Sequence, residues 1–414
     1  MVARIYAGYK GIQLLGRAIG AARVDWMYHR QHRIAAETIY QTATTLEGLL
    51  IKACQFLGTR ADVLPDEFVE VLSRLQDRVP ARPFSELAAH VERELRRPVS
   101  EVFAEIDPNP VASASLAQVH RAVLHNGRQV AVKIQYPEIA DLVAVDLENL
   151  RFFINLLARV ERNFDLRLVL REIKRYVPLE LDFKHEAQNA ERIRANLQHR
   201  EDVIVPRIIH DLTTSKLLVM EYLPGIRITD VDRLTASGID KHQVAHKLTE
   251  IFCQQILVDG FFHADPHPGN ILVRPGPQLV LLDFGLAKDF PPGFQQGVVK
   301  LAAAILTQDR SAIAQAFREL GFKTKNPDAD TLVALGDAFL GQVVRSGKAY
   351  ADEAMIEQFS KDLAQALRAN PLVEAPSDIL LVVRVMGLLS GIGKQLDSRV
   401  DPLGLMLPFL QQSQ

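Results

Sequence analysis

Cysteine is nearly absent from this chain: Cys54 and Cys253 are the only two in 414 residues, almost 200 positions apart. Two such distant thiols exclude a disulfide framework and a thiolate metal cluster, and they fit a reducing compartment. An excess of charge is missing as well, since 48 Lys and Arg meet 50 Asp and Glu for a net charge of -2. No overall electrostatic attraction to nucleic acid is therefore expected. Long apolar runs are also lacking. Ile379 to Gly393, the most hydrophobic late segment, is interrupted by Arg384 and falls short of the roughly 20 residues that span a bilayer. It reads as a buried helix, and no transmembrane helix is expected. The first residues show no apolar core with a small-residue cleavage site, so no secretory leader is expected either, and a cytoplasmic location is.

What is present is a 48% hydrophobic composition, enough for two or three compact units. Met1 to Tyr40 carries Arg4, Lys10, Arg17, Arg23, Arg30 and Arg33 against only Asp25 and Glu37. Ile5, Tyr9, Ile12, Leu15, Ile19, Ala22 and Trp26 recur every three or four residues and line one helix face. Such a helix either lies on an anionic membrane surface or packs its stripe on the rest of the chain. Gly8, Gly11, Gly16 and Gly20 weaken it.

Thr38 to Val79 continues a helical pattern, with a helix start at Pro65-Asp66-Glu67. After Pro80, Pro83 and Pro98 comes a hairpin, in which Val111 to Leu124 turns at Asn126-Gly127 into the strand Gln129 to Ile134. Leu142 to Arg171 and Leu179 to Gln198 read as helices, Val203 to Ile209 and Lys216 to Met220 as strands, and Asp240 to Gly260 as a helix. Leu279 to Leu282 is a short buried strand. Beyond Pro292 nearly everything reads as helix. The expected fold is α+β, protein-kinase-like and bilobal: a helical extension over residues 1–80, an N-lobe with inserted helices over 81–223, and a mostly helical C-lobe over 224–414.

The chemistry is concentrated in His263 to Asn270, HADPHPGN, followed by Asp283-Phe284-Gly285. Phosphoryl transfer needs metal ions on the phosphates, a cation on the groups not transferred, a backbone cradle and a carboxylate aimed at the nucleophile. Asp265 and Asn270 keep the five-residue separation of a kinase catalytic Asp and its metal-binding Asn. Asp283 follows thirteen residues later, presented by the Leu279 to Leu282 strand, so Asn270 and Asp283 are the candidate Mg2+ ligands. Zinc bound by His263, Asp265 and His267 is the competing chemistry, but it needs further ligands that the sequence does not supply. His263 then reads as a loop brace.

Val130-Ala131-Val132-Lys133 matches the strand lysine that pairs the α- and β-phosphates of ATP. It lies downstream of a loop, Ala112, Ser113, Ala114, Ser115, Leu116, Ala117 and Gln118, where a kinase carries glycines. Alanine and serine still offer backbone N–H groups to phosphate but lack access to positive φ. A stiffer cradle is expected. Glu186 is the candidate partner for Lys133, although spacing alone leaves it equally an exposed helical glutamate. Met220, Glu221 and Leu223 lead into Pro224-Gly225 with the character of an adenine-facing hinge.

Together these residues resemble the UbiB/AarF-like (ADCK) atypical kinases over roughly Leu46 to Asp401. Lys52-Ala53-Cys54-Gln55 matches that family's KxGQ motif, Leu75 to Pro80 follows it, the alanine-rich loop ends in Ala117 to Ala122, and Glu180-Leu181-Asp182 matches its ExD motif. The resemblance implies that Lys52 and Gln55 belong to a helical extension folded over the active site that meets Glu180 and Asp182, and that Glu186 pairs with Lys133. Cys54 stands where the motif has glycine, and no counterpart of the C-terminal transmembrane helices of many bacterial members is expected in these residues. No A-P-E follows the DFG, Ala375-Pro376-Ser377 being about 90 residues on. The resemblance accordingly implies ATPase or small-molecule and lipid-directed activity with ATP and Mg2+. It points to isoprenoid quinone biosynthesis, with prenyl-quinone intermediates or their enzymes as partners and peripheral contact at the inner face of a membrane.

Overall fold

The computed structural model describes residues 2–20, 23–46, 66–72, 81–114, 116–157, 174, 178–179, 181–326, 329–337, 366, 369–370, 372–374, 376–398 and 402–412. They fall into two compact units, one of Met1–Ala187 with Ile208–Tyr222 and one of Gln188–Arg207 with Leu223–Gln414.

The first unit opens with α1 (Val2–Ile19) and α2 (Asp25–Leu46). The single stripe read from Ile5 to Trp26 is broken here, because Gly20 adopts a φ of +96°, a left-handed conformation that ends a helix cheaply only at glycine. Ile5 and Ile12 are buried, and Tyr9 Oη meets His32 Nδ1 at 2.6 Å, so part of the stripe packs α1 on α2. Helix α3 (Asp66–Leu72) places Glu67 and Glu70 against His29 and Arg33 of α2.

Helices α4 (Phe84–Leu95) and α5 (Val99–Val102) lead into an antiparallel sheet. Its strands are β1 (Phe103–Ile106), β2 (Ala112–Ser113), β3 (Ala117–Leu124), β4 (Gln129–Gln135) and β6 (Leu217–Glu221), in the order β1-β3-β4-β6 with β2 also on β3. Asn126-Gly127 turns the β3–β4 hairpin as expected, with Gly127 at φ +79° and Leu124 N–H bonded to Arg128 O at 2.9 Å. Strand alternation sends Val130, Val132 and Ile134 into a core with Leu87, Val91, Phe103, Leu217 and Val219, which leaves Ala131, Lys133 and Gln135 for the other face. Helix α6 (Ile139–Leu157) follows, and α7 (Phe183–Asn196) begins in this unit.

In the second unit, β5 (Val203–Ile204), β7 (Ile226–Arg227), β9 (Ile271–Arg274) and β10 (Gln278–Leu281) form a sheet in the order β5-β10-β9-β7. The strand expected over Val203 to Ile209 is thus divided. Val203 and Ile204 pair parallel to β10, whereas Ile208 bridges Met220 in the first unit's sheet. Pro206, which has no N–H to donate, lies between the two pairings. A two-stranded ribbon joins β8 (Phe261–His263) to β11 (Ala287–Asp289).

Around these strands pack α8 (Val231–Ala236), α9 (Lys241–Gln254), α10 (Phe294–Leu306), α11 (Arg310–Glu319), α12 (Asp330–Gly336), α13 (Ser377–Gln395) and α14 (Pro402–Gln412). Asp230, Asp240 and Asp309 cap the first, second and fourth of these through backbone N–H groups, as short acidic side chains do at helix starts. Beyond Pro292, where nearly everything was expected to be helix, one short ribbon interrupts the helices: β12 (Lys323–Thr324) pairs with β13 (Leu372–Glu374). Among the described residues no helix is long and apolar enough to cross a membrane.

Candidate active site

Lys133 sits in the middle of β4, level with Val119 of β3 and Leu218 of β6. Its Nζ donates to both carboxylate oxygens of Glu186, at 2.8 and 2.9 Å, and lies 5.2 Å from the centre of the Phe183 ring. Phe183 and Glu186 are three residues apart, hence on one face of α7. The start of that helix is fixed in three ways. Asp182 Oδ1 accepts the Lys184 N–H at 3.0 Å, Phe183 N–H donates to Ser215 O at 3.0 Å, and Gln135 Nε2 donates to Leu181 O at 2.9 Å. Glu186 is therefore buried and paired, which the spacing alone left open. Asp182, named from the ExD motif, caps α7. Lys52, Cys54, Gln55, Ser115 and Glu180 lie outside the described residues.

The alanine-rich segment is a tight hairpin. Ser113 pairs with Gln118 across β2 and β3, Ala114 N–H donates to Ala117 O at 2.8 Å, and Tyr136 N–H donates to the buried Leu116 at 2.9 Å. Ser113 Oγ and Tyr136 Oη are 2.8 Å apart, which pins the loop further. Gln118, named from sequence for the backbone of this loop, has a structural task for its side chain. Its side chain is fully buried; Oε1 accepts the Arg82 N–H at 3.0 Å, and Nε2 donates to Arg82 O at 3.0 Å and to His120 Nε2 at 2.7 Å. His120 in turn donates from Nδ1 to Asp107 O at 2.7 Å, and burial pushes its pKa down. With its polar atoms so engaged, Gln118 anchors the chain entering α4. At the far end of the sheet Met220 is buried opposite Ala131, Glu221 stands opposite Val130, and Leu223 opens the second unit's longer segment, half-buried.

In the second unit the antiparallel ladder does what thirteen residues of sequence separation hide. Ile271 pairs with Leu281, and Leu282 N–H donates to Asn270 O at 2.8 Å. Asn270 and Asp283 consequently emerge at the same end of the β9–β10 hairpin. Asp283 is held at a φ of +57°, where a non-glycine residue costs about 1–3 kcal/mol; its Oδ1 accepts the Gly285 N–H at 3.2 Å. Phe284 is buried, and its carbonyl accepts Asn189 Nδ2 of α7 at 2.9 Å. Arg192, one turn further along α7, stacks on Phe261 at 4.0 Å and pairs with Asp289. Neither Asn189 nor Arg192 was singled out from sequence, because their partners are about 70 to 100 positions away.

His263 is fully enclosed between Phe252 and Phe284. Its N–H donates to Gln255 Oε1 at 2.9 Å and its Nδ1 accepts the Asp265 N–H at 3.2 Å. Burial lowers its pKa against the pull of Asp265 and Asp283, so the ring is neutral. His267 Nδ1 accepts the Gly269 N–H at 3.1 Å. Both histidines brace the loop, and among the described residues no group of three or more His, Cys, Asp or Glu is placed to hold a metal by itself. One amide oxygen and one carboxylate suit Mg2+ instead, which takes few protein ligands and completes its shell with water and substrate phosphates. The Asp265 carboxylate accepts a hydrogen bond from Arg384 Nη2 of α13 at 2.9 Å. Arg384 was legible in the sequence only as an interruption of an apolar run.

Residues 74–317 match the ABC1 atypical kinase-like domain. AarF domain-containing kinase 1 of Drosophila melanogaster is 37% identical over 298 residues, covering 71% of this chain and 58% of that protein. ACTIVITY OF BC1 COMPLEX KINASE 7, chloroplastic, of Arabidopsis thaliana is 31% identical over 92% of this chain and 55% of its own length. The chain thus spans little more than half of these two. AarF domain-containing protein kinase 1 of Xenopus tropicalis is 31% identical, with 94% of this chain and 80% of that protein covered. The structure of Rv3197 with erythromycin from Mycobacterium tuberculosis has the same fold, with a TM-score of 0.62 at 24% identity over 92% of this chain and 97% of that one. The family expected from the motifs is the family found: the chain belongs to the UbiB/AarF-like ABC1 atypical kinases and has their kinase-like α+β fold.

Proposed function

We propose that this protein is a Mg-ATP-dependent atypical kinase or ATPase that acts on a small molecule, a lipid or water. The observation that carries the proposal is the two-oxygen grip of Glu186 on Lys133, formed by residues 53 positions apart at a strand position whose neighbours across the sheet are Val119 and Leu218. Lys133 would neutralise the α- and β-phosphates, and the alanine-rich hairpin, residues 112–118, would cover them. Asn270 and Asp283 would hold Mg2+, which when bound offsets phosphate charge. Asp265 would accept the proton of a hydroxyl or water as that oxygen bonds to the γ-phosphorus. The bond from phosphorus to the β–γ bridging oxygen breaks, and its electron pair leaves with ADP.

A non-protein acceptor is favoured because only Leu286 to Gly293 separates the DFG from α10, too little chain for a peptide-docking segment. The family resemblance adds isoprenoid quinone metabolism, with prenyl-quinone intermediates or their enzymes as partners. Exposed Leu14, Leu15 and Trp26 beside exposed Arg17 and Arg23 support peripheral contact with an anionic inner membrane face. The test pairs purified protein with cells. Asp283→Asn should lose Mg-dependent ATP turnover by about 10³-fold or more, and a deletion strain complemented with it should keep the altered quinone and lipid profile of the deletion. Undiminished turnover in the variant sinks the nucleotide chemistry, and unchanged quinones after deletion sink the pathway. Tight ATP binding with negligible hydrolysis by the wild type would favour a nucleotide-gated binding module.

A further inference from the structure

Helix α13 is an apolar rod that buries Ile379, Leu381, Val382, Val385, Leu389 and Ile392, yet it carries two charged side chains that reach the catalytic segments of its own unit. Asp378, in its first turn, forms an ion pair with Lys288 of β11. Two turns on, Arg384 donates from Nη2 to Asp265 Oδ1 at 2.9 Å. Lys288 and Phe262 are register partners in the β8–β11 ribbon, so α13 is fastened both to the strand that leaves the DFG and to the loop that carries Asp265.

As a device for stability Arg384 is poorly made. Its side chain is 19% exposed, and its Nε is buried without a partner among the described residues. A buried guanidinium with an unspent donor is less favourable than a packed apolar side chain of similar length. What the arginine does achieve is orientation. It engages one carboxylate oxygen of Asp265, whose backbone is already held by His263 Nδ1 and by the His267 N–H at 2.7 Å. Oδ2 has no hydrogen-bonded partner among the described residues, and the Asp265 side chain remains 31% exposed.

We infer that Arg384 is a positioning residue for the phosphoryl-transfer step: it fixes Asp265 through Oδ1 so that Oδ2 is turned to the acceptor, taking the place of a bracing contact from an activation segment. The inference rests on the role of Asp265 proposed above. The experiment compares Arg384→Met, Arg384→Lys, Asp265→Asn and the Arg384→Met/Asp265→Asn double variant of the full chain, measuring Mg-ATP turnover, displacement of a fluorescent nucleotide and thermal unfolding.

Misplacing a catalytic group by about 1 Å can cost on the order of 10²-fold. Arg384→Met should therefore lower kcat by about 10- to 100-fold while nucleotide affinity stays within about two-fold and Tm is unchanged or higher. Arg384→Lys should recover part of the rate. In the Asp265→Asn background, Arg384→Met should have no further effect. Losses that multiply in the double variant, a fall in Tm that parallels the loss of rate, or a lysine variant no better than methionine would each overturn the inference. An inactive Asp265→Asn beside a fully active Arg384→Met sinks the inference alone, whereas a fully active Asp265→Asn sinks the proposed chemistry with it.

Discussion

Two ion pairs join a catalytic candidate to a distant helix, and they are built to different standards. Lys133 and Glu186 meet through both carboxylate oxygens with side chains only 14% and 4% exposed. Arg384 and Asp265 share one hydrogen bond with side chains 19% and 31% exposed. The first pair is closed, which suits the role proposed for Lys133 of holding phosphates from a fixed position. The second leaves the aspartate an oxygen and solvent access, which suits a group that exchanges a proton. A carboxylate spent on a bidentate contact would be a poor general base.

Breaking the closed pair gives the largest expected effect. Glu186→Gln removes the carboxylate charge that grips the largely buried Lys133 ammonium and should cost about 3–5 kcal/mol, read as a lowered urea midpoint with an unchanged denaturant slope. Lys133→Met/Glu186→Met should recover most of that loss while remaining inactive, since the methionine can pack on Phe183. If the double variant is no more stable than the single, the lysine is not held as described. Breaking the open pair should be milder for stability. Asp265→Asn is expected to cost less than about 1 kcal/mol while turnover falls by about 10²- to 10⁴-fold. Equal stability losses at the two pairs would erase the distinction between them.

The smallest effect concerns a carboxylate outside both pairs. Burial pushes the Asp259 carboxyl up to about 6, and its Oδ2 is buried without a hydrogen-bond partner among the described residues. Because the folded value lies above the unfolded one, the unfolded chain releases this proton first. Stability should therefore fall as pH rises between about 4 and about 6, and stay lowered above. Asp259→Asn should remove that part of the pH profile and raise Tm at neutral pH without changing turnover, which thermal scans from pH 4 to about 8 would check.

The candidate site was nameable from the chain because the proposed phosphoryl-transfer groups sit at fixed short spacings. Asp265, Asn270 and Asp283 follow from HADPHPGN and DFG, and the hairpin turn at Asn126-Gly127 follows from glycine's access to positive φ. The anchoring role of the Gln118 side chain was not legible, since its partner backbone at Arg82, 36 positions away, is not visible in a loop motif. The Val203 to Ile209 strand was misread as one because apolar character does not say which sheet will take each half, and Pro206 lies between two different ladders.

The sequence by itself determined the family, the α+β kinase-like fold and the identity of the charged groups, because local spacing and strand or helix periodicity reflect covalent geometry. Only the tertiary structure decided that Glu186, nameable from sequence through the family resemblance alone, grips Lys133 with both oxygens, that Asn189 and Arg192 hold Phe284 and Asp289, and that Arg384 holds Asp265. Those pairings join residues from about 50 to 120 positions apart. Their geometry is set by how sheets and helices pack, and no local pattern of side chains encodes it.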